Sequence, residues 1–150
     1  MKRSSRLSVA LHLLVHMAAK PEEPVVSDAL AVWADTNPVV IRRTFAGLRD
    51  AGILVSTKGA GGGWRLARSP ETITLAQIQT ALGETLVAFD LAEESPGCLV
   101  ALAVQDVLVD VRRQVEALLA ERLSRITLAD LAADITQRGG LRILETHPHD

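Results

Sequence analysis

Four glycines occupy five consecutive positions in Gly59-Ala60-Gly61-Gly62-Gly63, between two β-rich runs, Ile53-Leu54-Val55-Ser56-Thr57-Lys58 and Trp64-Arg65-Leu66-Ala67. Short runs of that kind on either side of glycine pair as a hairpin. Its tip can take positive φ angles and bring bare backbone close to another surface. The remaining periodic segments are helical, so the expected fold is mainly α with one small β-hairpin.

Apolar residues Leu7, Ala10, Leu11, Leu14, Met17 and Ala18 recur at helical spacing from about Ser5 to Ala19, until Pro21 and Pro24 stop the helix. Ser27 is placed to cap a short second helix through about Asp35, with Leu30, Ala31 and Trp33 as its apolar contacts. Asn37-Pro38 is a helix start, since Asn accepts from orphan amides and Pro at the first helical position gives up nothing. The third helix therefore spans Pro38 to Ala51 and ends at Gly52, with Val40, Ile41, Phe45 and Leu48 expected inside. Thr74 and Gln77 form a capping box for a fourth helix with Leu75, Ile78 and Leu82 inward and Gly83 at its end. Residues 90–97 read as an acidic connector. A long helix from about Cys98 to Arg125 comes next, then a short one capped by Thr127 and Asp130 with Leu128, Leu131 and Ile135 inward. The tail from about Gln137 onward reads as loosely ordered.

At 150 residues and 48% hydrophobic, the chain is sized for one domain with a small appendage. Its apolar runs are too short for a membrane span, and the N-terminal helix carries His12 and His16 without a cleavage site, so a cytoplasmic protein is expected. The single cysteine, Cys98, excludes an intrachain disulfide or a Cys-based metal site built from this chain alone. Charge is polarised beneath a net of −2. Residues 1–70 hold ten Lys and Arg against five acids, whereas the remaining eighty hold six against thirteen. A polyanion would be drawn to one end only.

Helix, helix, turn, capped helix and glycine-tipped hairpin is the order of a winged helix-turn-helix. In that arrangement the third helix enters the major groove of duplex DNA by its N-terminus and the hairpin wing reaches the neighbouring backbone or minor groove. The candidate DNA contacts are Asn37, Pro38, Val39, Arg42 and Arg43 on the helix, and Lys58, Gly59, Gly61, Gly62, Gly63 and Arg65 on the wing. Lys2 and Arg3 of the N-terminus join them. Arg can grip guanine or a phosphate, Asn an adenine or a phosphate, and Val39 a thymine methyl. Taken alone, an Arg pair is a solvated helix face and a glycine run a flexible turn; the element order is what gives them a role. A nucleotide cradle does not fit, because Trp64 stands where the dinucleotide fingerprint needs glycine and no Gly-Lys-Ser/Thr follows. His12 and His16 lie one turn apart without a third ligand, and Trp33 and Trp64 read as packing residues. No nucleophile, base and acid constellation can be assembled, so an enzyme is not expected.

Along the long helix Ala101, Val104, Leu108, Val111, Val115 and Leu118 are spaced alternately by three and four, a coiled-coil seam. A second apolar row, Leu99, Ala103, Val107, Leu119, Leu123 and Ile126, widens the face. Such a face is expected to bury one side on its own domain and the other on a partner subunit, with Val104, Leu108, Val111, Val115 and Leu118 as the dimer contacts.

The segments Thr36-Asn37-Pro38-Val39-Val40-Ile41-Arg42-Arg43, Leu48-Arg49-Asp50-Ala51-Gly52-Ile53-Leu54 and Lys58-Gly59-Ala60-Gly61-Gly62-Gly63-Trp64-Arg65-Leu66-Ala67 resemble the Rrf2-type family of bacterial regulators, the IscR, NsrR and CymR group. The resemblance extends over nearly the whole chain, to the closing Thr127-Leu128-Ala129-Asp130-Leu131. It implies a homodimeric transcription factor, usually a repressor, on a palindromic operator in double-stranded DNA, joined through the long helix. Cluster-binding members carry three cysteines between the wing domain and the long helix. With Cys98 alone, no iron-sulfur cluster or other cofactor is expected here. Cys98 then has two readings: a small hydrophobe packed under the start of the long helix, which the burial habit of free Cys favours, or a redox sensor at a helix N-terminus. A small-molecule effector is the other candidate signal. The division expected is a DNA-binding domain over 1–83, a connector over 84–97, the dimerisation helix with its closing helix over 98–136, and a tail over 137–150. The competing reading is a winged-helix module that binds a partner protein through the same hairpin and long helix.

Overall fold

In a computed structural model, residues 6–87 and 97–138 are described. Helices α1 (Arg6–Ala19), α2 (Ser27–Trp33) and α3 (Pro38–Asp50) precede the hairpin β1 (Leu54–Thr57) and β2 (Gly63–Leu66). After it come α4 (Leu75–Leu82), α5 (Leu99–Ser124) and α6 (Leu128–Gln137). The chain is mainly helical with a two-stranded antiparallel wing, the winged helix-turn-helix read from the sequence. Ser5, most of the 90–97 connector and the tail beyond Arg138 lie outside the described residues.

Helix α1 is the centre of the core. It packs against α3, α4, α6 and β2, and so buries more than the single stripe expected. Leu13 and Val15 are inside with Leu7, Ala10, Leu14 and Met17, while Leu11 and Ala18 sit at the margin of the core. Around α1 lie Leu30, Ile41, Phe45, Leu48, Ile53, Ile73, Ile78 and Leu128, each almost fully buried. Leu128 matters for the organisation of the chain. Although α6 follows the long helix in sequence, it closes the winged-helix core, with Leu131, Ala132 and Ile135 packed against that core as well.

The turns hold as their residues require. Helix α3 ends in a Schellman motif: Gly52, at φ +74°, donates to the Arg49 carbonyl and Ile53 donates to that of Leu48. The side chains of Ile53 and Leu48 are both buried behind the turn. Both capping boxes form. Gln77 donates its amide to Thr74 Oγ1 at 3.2 Å, and Asp130 to Thr127 Oγ1 at 3.1 Å. The starts of α4 and α6 are then stitched together, because Leu75 donates to the Ile126 carbonyl at 2.9 Å and Leu128 to that of Ile73 at 2.8 Å.

Three local expectations are corrected. The residue preceding the first turn of α2 is Val26, without a side-chain cap, and Ser27 is the first helical residue; its hydroxyl instead accepts from Trp64 Nε1 at 2.9 Å. Helix α2 also stops at Trp33, two residues early, because Asp35 takes a left-handed φ of 49° in the turn. Val40, expected inside α3, is 43% exposed. The buried stripe is Ile41, Thr44, Phe45 and Leu48, and Val40 falls at its edge in the first turn, beyond the reach of the core.

Candidate nucleic-acid interface

Asn37 caps α3 with its side chain, Oδ1 accepting from the amides of Val39 at 3.0 Å and Val40 at 3.1 Å, and Pro38 occupies the first turn. Ile41, Phe45 and Leu48 anchor the helix in the core, so Val39 and Arg43, one turn apart, project on the opposite side. Arg42 flanks them on the side of the wing. Among the described residues neither Arg42 nor Arg43 has an ion-pair or hydrogen-bond partner, and both are exposed. By contrast Arg49, at the far end of the helix, is held by Asp50 at 3.1 Å. The free positive charge is therefore concentrated at the N-terminal half of α3, where the helix dipole adds to it.

The wing is fixed to this helix by Trp64. Its ring meets Phe45 edge-on with centroids 5.5 Å apart, its indole N–H is bound by Ser27, and its backbone pairs with Val25 through two bonds of 2.8 Å. Trp64 is thus a packing residue, as expected. Val25 adds a one-residue third strand to the sheet, a pairing that no periodicity announces because a single residue has none. Lys58 stands exposed at the end of β1. A groove of about 260 Å³ runs between α3 and the wing, lined by Arg42, Val26, Ser56, Thr57, Gly59 and Gly62 among others. Ser56 and Thr57 were absent from the candidates read from the sequence, where nothing set them apart from other strand residues.

The glycines have different tasks from the shared one expected of them. Gly59 and Gly61, at φ +89° and +73°, have open space beside them and form the bare tip. Gly62 and Gly63 serve the wing itself: a Cβ on Gly62 would lie 2.3 Å from the Thr57 carbonyl oxygen, and one on Gly63, at φ +150°, 2.8 Å from the backbone of Val25. Arg65 is also separated from the groove. Strand alternation turns Trp64 and Leu66 into the core and Arg65 to the opposite face, where Glu22 lies 3.9 Å away. Arg68, next along, is committed to structure, donating to the Thr72 carbonyl at 2.5 Å and to Gln77 Oε1 at 3.0 Å. Lys2 and Arg3 lie outside the described residues.

The long helix meets the core only at its C-terminal end. Leu123 and Ile126 pack against the winged-helix core, but no residue of α5 is buried. Of the seam residues, Val104, Val111, Val115 and Leu118 are exposed and Leu108 is half-buried. An apolar groove of about 540 Å³ follows Leu99, Val100, Ala103, Val104, Val107 and Leu108. Cys98 precedes the first turn of α5 and is exposed, which corrects the packed placement favoured from its residue type: the helix start it precedes projects away from the core. His12 and His16 stack at 4.8 Å, with Trp33 5.3 Å beyond His16.

Comparison with known proteins agrees with this geometry. Residues 3–134 match the Rrf2 family, described as "Iron-dependent Transcriptional regulator". YwnA of Bacillus subtilis (strain 168), whose name places it among HTH-type transcriptional regulators, is 30% identical over 131 residues, covering 85% of this chain and 95% of that protein. The structure of T. potens IscR superposes with a TM-score of 0.65 at 28% identity, over 89% of this chain and 88% of that one. CymR of B. subtilis, titled the global cysteine regulator, gives 0.61 at 27% identity over 89% and 97%. The iron in that family description finds no donor set among the described residues. Cys98 is the one thiol of the chain, and no three His, Cys, Asp or Glu side chains converge among the described residues. A capped helix with unpaired arginines, a wing locked beside it and a match along almost the full length identify this chain as a member of the Rrf2 family, a DNA-binding transcriptional regulator and not an enzyme.

Proposed function

We propose that the chain acts in the cytoplasm as a homodimer that binds a palindromic operator and represses transcription, with the N-terminal half of α3 in the major groove and the wing on the adjacent backbone. The observation that carries this reading is the unpaired positive charge on the N-terminal half of α3, beside the wing. Arg42, which lines the groove between α3 and the wing, Arg43 beside it, and Lys58 at the end of β1 have no carboxylate partner among the described residues, whereas Arg49 and Arg65 have one. Phosphates would supply the missing counter-charge. Lys2 and Arg3 would extend the same basic surface, and Gly59 and Gly61 would let the wing backbone approach a phosphate closely. Arg65 would reach DNA only by leaving Glu22. Dimerisation would bring two α3 helices to the half-sites of a palindrome, through the uncovered faces of Val104, Leu108, Val111, Val115 and Leu118. A small molecule, or oxidation of the exposed Cys98 thiol, would provide the signal.

Selection from random-sequence duplexes by the full-length protein tests the reading, at two salt concentrations and with reduced and oxidant-treated protein. A palindromic motif whose affinity falls steeply with salt is expected, and no enrichment at either salt would overturn it. Arg43→Ala should weaken the selected operator at least tenfold, about the value of one base or phosphate contact, with the oligomeric state unchanged. Loss of binding on oxidation that Cys98→Ser abolishes would assign the signal to the thiol.

A further inference from the structure

The outward side chains in the first two turns of α3 offer methyl groups and hydrogen-bond donors but no acceptor. Val39 is 55% exposed and Val40 43%, two branched aliphatic groups side by side at the tip of a helix otherwise well anchored in the core. Arg42 and Arg43 follow, donors only. Thr44 carries a hydroxyl but is buried. Asp50 carries a carboxylate but lies at the other end of the helix, paired with Arg49. Asn37 carries both a donor and an acceptor, yet Oδ1 already receives the amides of Val39 and Val40. Those two bonds occupy both lone pairs of the oxygen and leave only the NH₂ group outward. Reading adenine through its N6 and N7 needs donor and acceptor together.

We propose that the tip of α3 reads keto edges in the major groove: Val39 and Val40 pack on the 5-methyl groups of thymines, the arginines take guanine N7 and O6 or thymine O4, and Asn37 positions the helix without reading a base. Amino edges, adenine N6 and cytosine N4, are disfavoured, because a donor buried against donors and methyl groups loses its water without replacement. Val40 is the new element. Its place at the margin of the buried stripe frees it to reach a second methyl group beside the one under Val39. The inference rests on α3 being the base-reading helix of the proposed regulator.

The test takes the operator selected by the full-length protein and replaces its thymines one at a time by deoxyuridine, which removes the methyl group alone. Each methyl in contact is worth about fourfold in affinity. Losses of that size are expected at two thymines of each half-site, one of them falling below about twofold in Val40→Ala and the other in Val39→Ala. Asn37→Ser keeps the cap and removes the amide, and should leave the base preference at every position unchanged. Sequence-selective binding that is indifferent to every deoxyuridine, or a preference at an adenine that Asn37→Ser erases, would overturn the inference while leaving the regulator intact. Absence of any selected motif would sink the regulator reading itself, and this inference with it.

Discussion

The carboxylate of Glu84 accepts the amide of Leu7 at 2.7 Å across 77 residues of chain, and that of Arg6 at 3.0 Å with its other oxygen. The first amides of α1 have no partner within the helix, and Glu84 supplies both the acceptor and a negative charge at the positive end of the dipole. Gly83, at φ +61°, turns the chain out of α4, and Gln79 Nε2 holds the Glu84 carbonyl at 2.8 Å, so the carboxylate is aimed before it binds. The start of the central helix is thereby tied to the point where the chain leaves the winged-helix core toward α5.

Glu84→Ala is expected to destabilise the fold by about 1–2 kcal/mol, the range for losing a charge-assisted cap, and Glu84→Gln by less, since one amide oxygen remains to accept. Urea unfolding of the two variants checks this. Equal stability of Glu84→Ala and the parent would show that water caps α1 as well as the carboxylate does.

Gly63→Ala should open the wing while sparing the helices. The added methyl group would collide with the backbone of Val25 in a conformation that side chains resist, so the Val25–Trp64 pairing must break. Faster hydrogen exchange of the Val25 and Trp64 amides, with little change in helical circular dichroism, is the expected signature. Gly59→Ala, which meets nothing, should leave those amides protected.

Val111→Asp should abolish dimerisation without unfolding the monomer. Val111 is 42% exposed on a stretch of α5 that contributes nothing to the core, so a carboxylate there is harmless in the monomer and unpaired in the proposed seam. Sedimentation velocity separates the outcomes: a species that still sediments as a dimer would move the interface elsewhere, and loss of helicity would give α5 a role in monomer stability.

Acid should weaken the start of α6 through Asp130. Its carboxyl is held below the usual carboxylate range, first by the Thr127 amide and then by the Thr127 hydroxyl. A depressed folded pKa contributes stability above the unfolded value, lost as pH falls through the folded one. Asp130→Asn should flatten that part of the acid limb in unfolding measured from neutral to acidic pH. An unchanged slope would place the titration elsewhere.

Much of this protein was legible from local rules, because the residues involved act on their immediate neighbours. Asn37-Pro38, Gly52, the two capping boxes and Gly83 each satisfy or terminate backbone within a few positions, and the element order around the glycine loop already spelled out the winged helix. The apolar face of α5 was also legible in its spacing, since such a periodic row is a property of one helix. What escaped the sequence depends on which distant groups meet. Ser27 could equally have capped its own helix, and only the arrival of Trp64 decides that its hydroxyl accepts an indole proton. Val40 has the chemistry of a core residue, and only the position of α3 on α1 leaves it outside. Arg65 reads as one more wing cation until strand alternation turns it toward Glu22, and Gly62 and Gly63 read as tip residues until Thr57 and Val25 close against them. Helix periodicity, caps and turns are set within a few residues along the chain. Which charges remain unpaired, which glycines are crowded and which apolar groups stay exposed are set by elements tens of residues apart, and only the tertiary structure brings those together.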